Sequence, residues 1–132
     1  MKGVSMPVYS KWRPLSDLPL VLYLEAIHDD YEGLRFLLRE GDPTARCLRI
    51  RFDSVVAYLN SNESYRSPTW IATQGTRPPT TLLTIKGSPL SDFVLRSAGG
   101  VVQREEITHY GIYTPEDCVD VIALAAPTVE WL

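Results

Sequence analysis

The stretch LVLYLEAIHDDYEGLRFLLREGDPTARCLRIRF, residues 20–52, decides the fold. Its apolar side chains recur at every second position: Leu20, Leu22, Leu24 and Ala26, then Leu34, Phe36 and Leu38, then Leu48, Ile50 and Phe52. A period of two over short runs marks strands with one buried face. The connections, His28-Asp29-Asp30-Tyr31-Glu32-Gly33 and Gly41-Asp42-Pro43-Thr44, are rich in turn formers and short enough for antiparallel hairpins. Parity then sets register, because a one-residue slip turns every apolar side chain outward. It places Leu24 opposite Phe36 and Phe36 opposite Ile50, with Leu22, Leu38 and Leu48 in one buried row and Ala26, Leu34 and Phe52 in another. On the wet side the same register lines up Glu25, Arg35 and Arg51, where Glu25 offsets the repulsion between two neighbouring arginines.

The pattern changes on either side of this meander. Residues 1–19 contain three prolines and no periodicity, and read as an irregular arm pinned by Trp12 with Leu15 or Leu18. After a bend at Asp53-Ser54, Val55 to Leu59 reads as a fourth strand that runs into a long polar loop over 64–80; such loops in compact domains often carry function. Thr81 to Lys86 reads as a further short strand. Ser88 or Ser91 caps a short helix through Phe93, Val94 and Leu95 that stops at Gly99-Gly100. Near the C-terminus two rules conflict. Thr114-Pro115-Glu116-Asp117 is a good helix start, whereas Val119, Val121 and Ile122 favour a strand. Ile107–Tyr113 needs a partner, which selects a C-terminal β-hairpin, with Val129, Trp131 and Leu132 as a docking tail. Residues 20–132 thus read as a single α+β domain: an antiparallel β-sheet meander, one short helix and that hairpin.

Composition limits the function. The 132 residues carry 13 Lys plus Arg against 16 Asp plus Glu, a net charge of −3 that disfavours a generic nucleic-acid binder. No run approaches the ~18–20 apolar residues of a membrane helix, and MKGVSMPVYSKWRPL lacks the apolar stretch of a secretory signal. Cys47 and Cys118 stand in no metal spacing and read as buried thiols, which suits a reducing, cytoplasmic setting.

The wet face of the meander is the candidate site. Arg35, Arg49 and Arg51 project from it with Tyr23 and Leu37 between them, and Arg and Tyr are the side chains that most often anchor protein interfaces. Tyr23, Arg35, Arg49 and Arg51 are therefore the candidate partner-binding residues, with the 64–80 loop as a second candidate. The competing reading covers this face with the helix and the C-terminal tail, where Glu130 or Asp120 neutralises it, or with a second copy of the chain. RNA stacking on the sheet is disfavoured by the acidic total and the lack of a Lys cluster.

Chemistry has fewer footholds. His28 beside Asp29 and Asp30 is a solvated turn rather than a closed ligand set, so no metal and no cofactor is expected. His109 falls near Asp120 if the hairpin forms, an oriented base that would need a nucleophile such as Cys118; no nucleophile elbow surrounds that thiol. Gly99-Gly100 follows a helix rather than preceding one and is a helix stop, not a phosphate loop.

Three groups of residues carry a family likeness: Arg51-Phe52-Asp53 leading to Tyr58-Leu59-Asn60-Ser61-Asn62-Glu63-Ser64; Ser88-Pro89-Leu90 with Phe93 and Ser97; and His109-Tyr110-Gly111-Ile112-Tyr113-Thr114 followed by Val119-Asp120-Val121-Ile122 and Pro127. In this order, over about residues 20–130, the chain resembles small bacterial immunity proteins encoded near polymorphic or contact-dependent toxins. The resemblance implies an antiparallel α+β fold, a protein partner and a non-enzymatic role. It assigns no binding residue and no particular toxin.

Overall fold

A computed structural model describes residues 7–65 and 80–132. Its strands are β1 (Val8–Lys11), β2 (Tyr23–Asp30), β3 (Gly33–Arg39), β4 (Cys47–Phe52), β5 (Val55–Asn62), β6 (Leu82–Lys86), β7 (Thr108–Tyr113), β8 (Asp117–Ala123) and β9 (Thr128–Trp131), with one α-helix, α1 (Pro89–Ala98). They form two antiparallel sheets, ordered β1-β6-β7-β8-β5 and β2-β3-β4-β9. This is an α+β arrangement built around two sheets rather than a single meander. Alternation tells which face of a strand is buried but not what buries it, so the second sheet is not visible in the pattern.

The β3–β4 register follows from parity: Leu34 pairs with Phe52, Arg35 with Arg51, Phe36 with Ile50 and Leu38 with Leu48. The register expected for β2 is corrected. Leu24 lies opposite Leu38, a bulge falls between Leu24 and Ala26, and Ile27 then lies opposite Phe36 and His28 opposite Arg35. A bulge inserts one residue and reverses the parity beyond it, so Ile27, not Ala26, packs on the core with Leu24. The turn is also tighter than expected. Asp30 pairs with Gly33, leaving only Tyr31 and Glu32 between them, and Asp30 Oδ1 accepts the Glu32 amide at 2.9 Å. Gly33 has φ 106°, and a Cβ there would stand 3.1 Å from the Phe52 carbonyl oxygen, so both conformation and space call for glycine.

The opening segment is likewise more regular than expected. β1 pairs with β6, and the Trp12 amide extends the ladder to the Leu82 carbonyl at 3.0 Å. Beyond it Leu18 is buried, Trp12 and Leu15 pack on the core, and Arg13 bonds the Leu18 carbonyl at 2.7 Å. Leu22 is anchored on the other sheet, its amide donating to Thr81 Oγ1 at 2.9 Å. At the other end β7 and β8 pair with Tyr113 opposite Cys118. Thr114 and Asp117, half of a helix-start signal, close the turn instead: the Asp117 amide donates to Thr114 Oγ1 at 2.9 Å. The chain continues past this hairpin, and β9 crosses to the four-stranded sheet and pairs with β4.

Between the sheets, Leu34, Phe36, Leu38, Leu48, Ile50 and Phe52 meet Leu82, Tyr110, Ile112, Val119, Val121 and Ala123. Phe52 and Tyr110 meet edge to face at 5.3 Å and Trp12 lies 4.9 Å from Tyr110, which ties the two layers together. The outer face of the five-stranded sheet carries a smaller cluster of Leu83, Ile85, Tyr113 and Cys118. α1 starts at Ser88, whose hydroxyl accepts the Ser91 amide, has Pro89 in its first turn and ends at Gly99 with φ 58°.

Phe36 is fully buried, whereas Phe93 on α1 is 58% exposed. Urea denaturation should therefore show Phe36→Ala losing about 3–5 kcal/mol through the cavity it leaves. Phe93→Ala should stay within about 0.5 kcal/mol of the parent.

Candidate functional site

Strand alternation puts Arg35, Arg49, Arg51 and Leu37 on the outward face of the four-stranded sheet, as the sequence suggests, but every guanidinium there has an acid beside it. Arg35 makes two contacts to Asp30 at 2.9 and 3.0 Å and a third to Glu32 at 3.3 Å. Arg51 meets Asp53 at 3.3 Å, and Arg49 meets Glu130. The Glu25 carboxylate pairs with Arg39 instead of Arg35, a consequence of the β2 bulge. Of the two neutralising acids considered for this face, Glu130 takes the part; Asp120 lies on the other sheet. At the margin Arg46 stacks 3.9 Å over the Trp131 ring and contacts Asp17 at 3.1 Å, while Trp131 Nε1 donates to the same carboxylate at 3.1 Å. Tyr23 is 43% exposed and borders a shallow groove with Leu24, Arg39 and Pro43.

The electrostatics follow the contacts. The Arg35 guanidinium, then the Glu32 amide, hold the Asp30 carboxyl below the ordinary carboxylate range, and Asp30 in turn raises Arg35. Hydrogen bonds from Trp131 and Arg46 hold Asp17 down in the same way. The face is thus an array of fixed ion pairs rather than a bare positive patch. The 64–80 loop, the second candidate, lies outside the described residues over 66–79.

A different constellation is buried on the opposite sheet. His109 on β7 and Asp120 on β8 sit on one face, since His109 pairs with Ile122 and Gly111 with Asp120. His109 Nε2 lies 2.7 Å from Asp120 Oδ1, and His109 Nδ1 lies 2.7 Å from Ser88 Oγ. Ser88 Oγ also accepts the Ser91 amide at 3.1 Å and bonds Ser91 Oγ at 2.9 Å. Tyr113 completes the set, donating its hydroxyl to Asp120 Oδ1 at 2.6 Å. Gly111 makes that reach possible: a Cβ there would stand 3.3 Å from the Tyr113 ring and 3.0 Å from Ile85 Cδ1.

The proximity of His109 to Asp120 was visible in the sequence; the serines and Tyr113 were not. Ser88 reads only as a helix cap, and nothing local shows that the cap lies against a strand 21 residues further on. The residue types match a Ser-His-Asp relay. Here, however, the Ser88 hydroxyl caps α1 and is 3% exposed, and both imidazole nitrogens are engaged. The network therefore braces the start of α1 against β7 and β8. Cys118, the other nucleophile considered, is fully buried beside Leu83, Ile85 and Tyr113. Beside the brace an open cavity of about 410 Å³ is bordered by Ile85, Ser91, Ile107 and His109, with Lys86, Arg104 and Glu105 also in its lining. His28 lies in β2 opposite Arg35, and among the described residues no group of His, Cys, Asp and Glu is placed to hold a metal. No helix among the described residues is long and apolar enough to cross a membrane. The chain matches no protein-family model, no curated protein and no solved structure.

Two measurements check this geometry. Gly111→Val should push the Tyr113 ring off Asp120 and cost about 1–3 kcal/mol in chemical denaturation. Arg35→Ala should raise the Asp30 pKa toward 3.8 in an NMR titration. Because the folded value is depressed, the pair's contribution to stability is present above the unfolded carboxylate pKa and drains away as pH falls through the folded one.

Proposed function

We propose that this chain is a non-enzymatic binding protein that acts by covering a partner protein's surface, and, on the strength of its resemblance, an immunity protein that blocks a toxin. The observation that carries the reading is the outer face of the four-stranded sheet. There Arg35, Arg49 and Arg51 are held in place by acids, with the exposed Tyr23 at the margin. A guanidinium already fixed on one carboxylate loses less side-chain freedom when a partner binds. An exposed ion pair is worth little in isolation, so exchanging its acid for a partner's acid costs little. Tyr23 supplies the aromatic anchor beside the groove. Specificity then comes from matching the alternation of charges rather than from net charge, which suits a chain that is acidic overall.

The first test is the neighbouring reading frame, which should encode a multidomain toxin. That toxin's isolated toxic domain should bind the chain in calorimetry. Arg35→Ala with Arg51→Ala should weaken binding about tenfold or more while circular dichroism stays unchanged. Unchanged affinity in a folded double variant rejects this face, and unfolding shows that the two arginines are structural. A mass in light scattering that rises with concentration and falls in the double variant would assign the face to a second copy of the chain.

A second reading, a small hydrolase using His109, is favoured by the Ser88–His109–Asp120 chain beside a cavity. It requires Ser88 to leave its helix cap. Labelling of Ser88 by a fluorophosphonate would support it; no labelling at millimolar probe would remove it.

A further inference from the structure

The cavity beside α1 is on the opposite sheet from the arginine face, and the brace does not fill it. Its volume of about 410 Å³ lies in the range of small-molecule sites. Ile85 from β6 and Ile107 before β7 supply apolar walls, and His109 and Ser91, both more than nine-tenths buried, supply the polar floor. What the floor can offer is set by the order of protons along the brace. Asp120 Oδ1, which already accepts the Tyr113 hydroxyl, takes the His109 Nε2 proton, so the neutral imidazole presents a bare Nδ1. The Ser88 hydroxyl gives its single proton to that nitrogen. Ser88 Oγ then accepts twice from Ser91, from the amide at 3.1 Å and from the hydroxyl at 2.9 Å. One capacity is left over. Ser91 Oγ keeps its lone pairs, and no donor to them is found among the described residues. A ligand head here must therefore donate a hydrogen bond.

Charge in the lining favours neither sign. Arg104 is committed to Asp92 at 2.9 Å, while the exposed Lys86 and Glu105 border the same space with opposite charges. An ion seated against Ile85 and Ile107 gives up water and meets a like charge as well as an opposite one. Thr84 and Thr108 share strand parity with the core residue Tyr110, which turns their hydroxyls to the inner face of the sheet. We propose that this cavity binds a small neutral apolar molecule with one hydrogen-bond donor, an alcohol. Its hydrocarbon body lies between Ile85 and Ile107, and its hydroxyl donates to Ser91 Oγ. The site is independent of the protein-binding reading, since it shares no residue with the arginine face.

Hexanol is the probe, titrated into the full chain and followed by amide chemical shifts. Saturable shifts are expected at Ile85, Ser91, Ile107 and His109. Methyl pentyl ether, an isomer of hexanol with no donor, should bind about fivefold more weakly. Hexanoate and hexylamine, each bearing a charge, should also bind more weakly than hexanol. Ser91→Ala should bring hexanol down to the affinity of the ether and leave the ether unchanged. The Ser88 hydroxyl keeps the residue-91 amide and His109 in that variant, so the start of α1 stays in place. Ile107→Trp, which fills the cavity, should abolish the shifts, whereas Arg96→Ala on the exposed side of α1 should not alter them. If Ser91→Ala or Ile107→Trp fails to fold, the preference of the parent chain for hexanol over its isomer decides alone. Absence of saturation, equal or tighter binding of the ether, hexanoate or hexylamine, or an alcohol preference that survives in folded Ser91→Ala overturns the proposal.

Discussion

The contact that the rest of the molecule depends on is the burial of two sheet faces against each other. Neither sheet could stand alone: one face of each is a continuous apolar surface that must leave water. Phe36 and Phe52 from one layer and Tyr110 from the other, with Trp12 laid beside it, make the junction. The chain pays attention to this contact at each crossing between layers. Asp53-Ser54 turns it from β4 to β5, and the Ser54 carbonyl takes the Leu124 amide at 2.8 Å. β9 then returns to the β4 edge, and the Leu132 amide reaches the Cys47 carbonyl at 2.8 Å. Because the strands interleave in sequence between layers, both sheets must form before either core is dry.

On the far side of the five-stranded sheet the physics is different. Asp120 is 2% exposed, and a carboxylate so buried is tolerable only when hydrogen-bonded. His109 and Tyr113 meet it from two sides, and Gly111 leaves the space between them. The helix is drawn into the same network through Ser88, so the segment that closes one side of the cavity is positioned by polar bonds rather than by a greasy stripe. That fits the exposure of Phe93 and the burial of only Ser91 and Val94 along α1. Buried polar networks of this kind fix geometry more sharply than apolar contacts do, because a displaced partner leaves an unsatisfied group behind.

Legibility followed locality. The β3–β4 register could be read because both strands keep a strict period along their whole paired length, with no bulge. β2 could not, since its bulge near Glu25 adds a residue that parity cannot reveal, and the slip moved Glu25 from Arg35 to Arg39. Asp30 and Glu32 lie within five residues of Arg35, yet they read as turn residues and not as its partners, because the turn-rich run from His28 to Gly33 reads longer than the two-residue turn it forms. The partner of Arg49 stands 81 residues away, and its role depended on whether the tail returned to this sheet. His109 and Asp120 were legible as neighbours in one hairpin; Ser88 was not, because a helix cap gives no sign of what lies beyond its hydroxyl.

The ion pairs on the arginine face are not equivalent, and the differences give the face a hierarchy. The Arg35 side chain is 13% exposed and holds two acids, so it is largely committed to closing the β2–β3 turn. Arg49 is 32% exposed and tied to a strand that joins the sheet from the C-terminus, so its carboxylate is fixed by backbone pairing. Arg51 is 41% exposed, and its acid, Asp53, sits two residues on in a bend and is 60% exposed. Water already competes for that pair, and the acid can swing away without disturbing a ladder. On the protein-binding proposal, an incoming carboxylate would meet least resistance at Arg51, with Arg35 and Arg49 as the more firmly held frame around it. On that same proposal, selectivity on a face whose charges are balanced would come from a partner that supplies its acid where exchange is easiest and does not crowd the acids that are fixed by the fold.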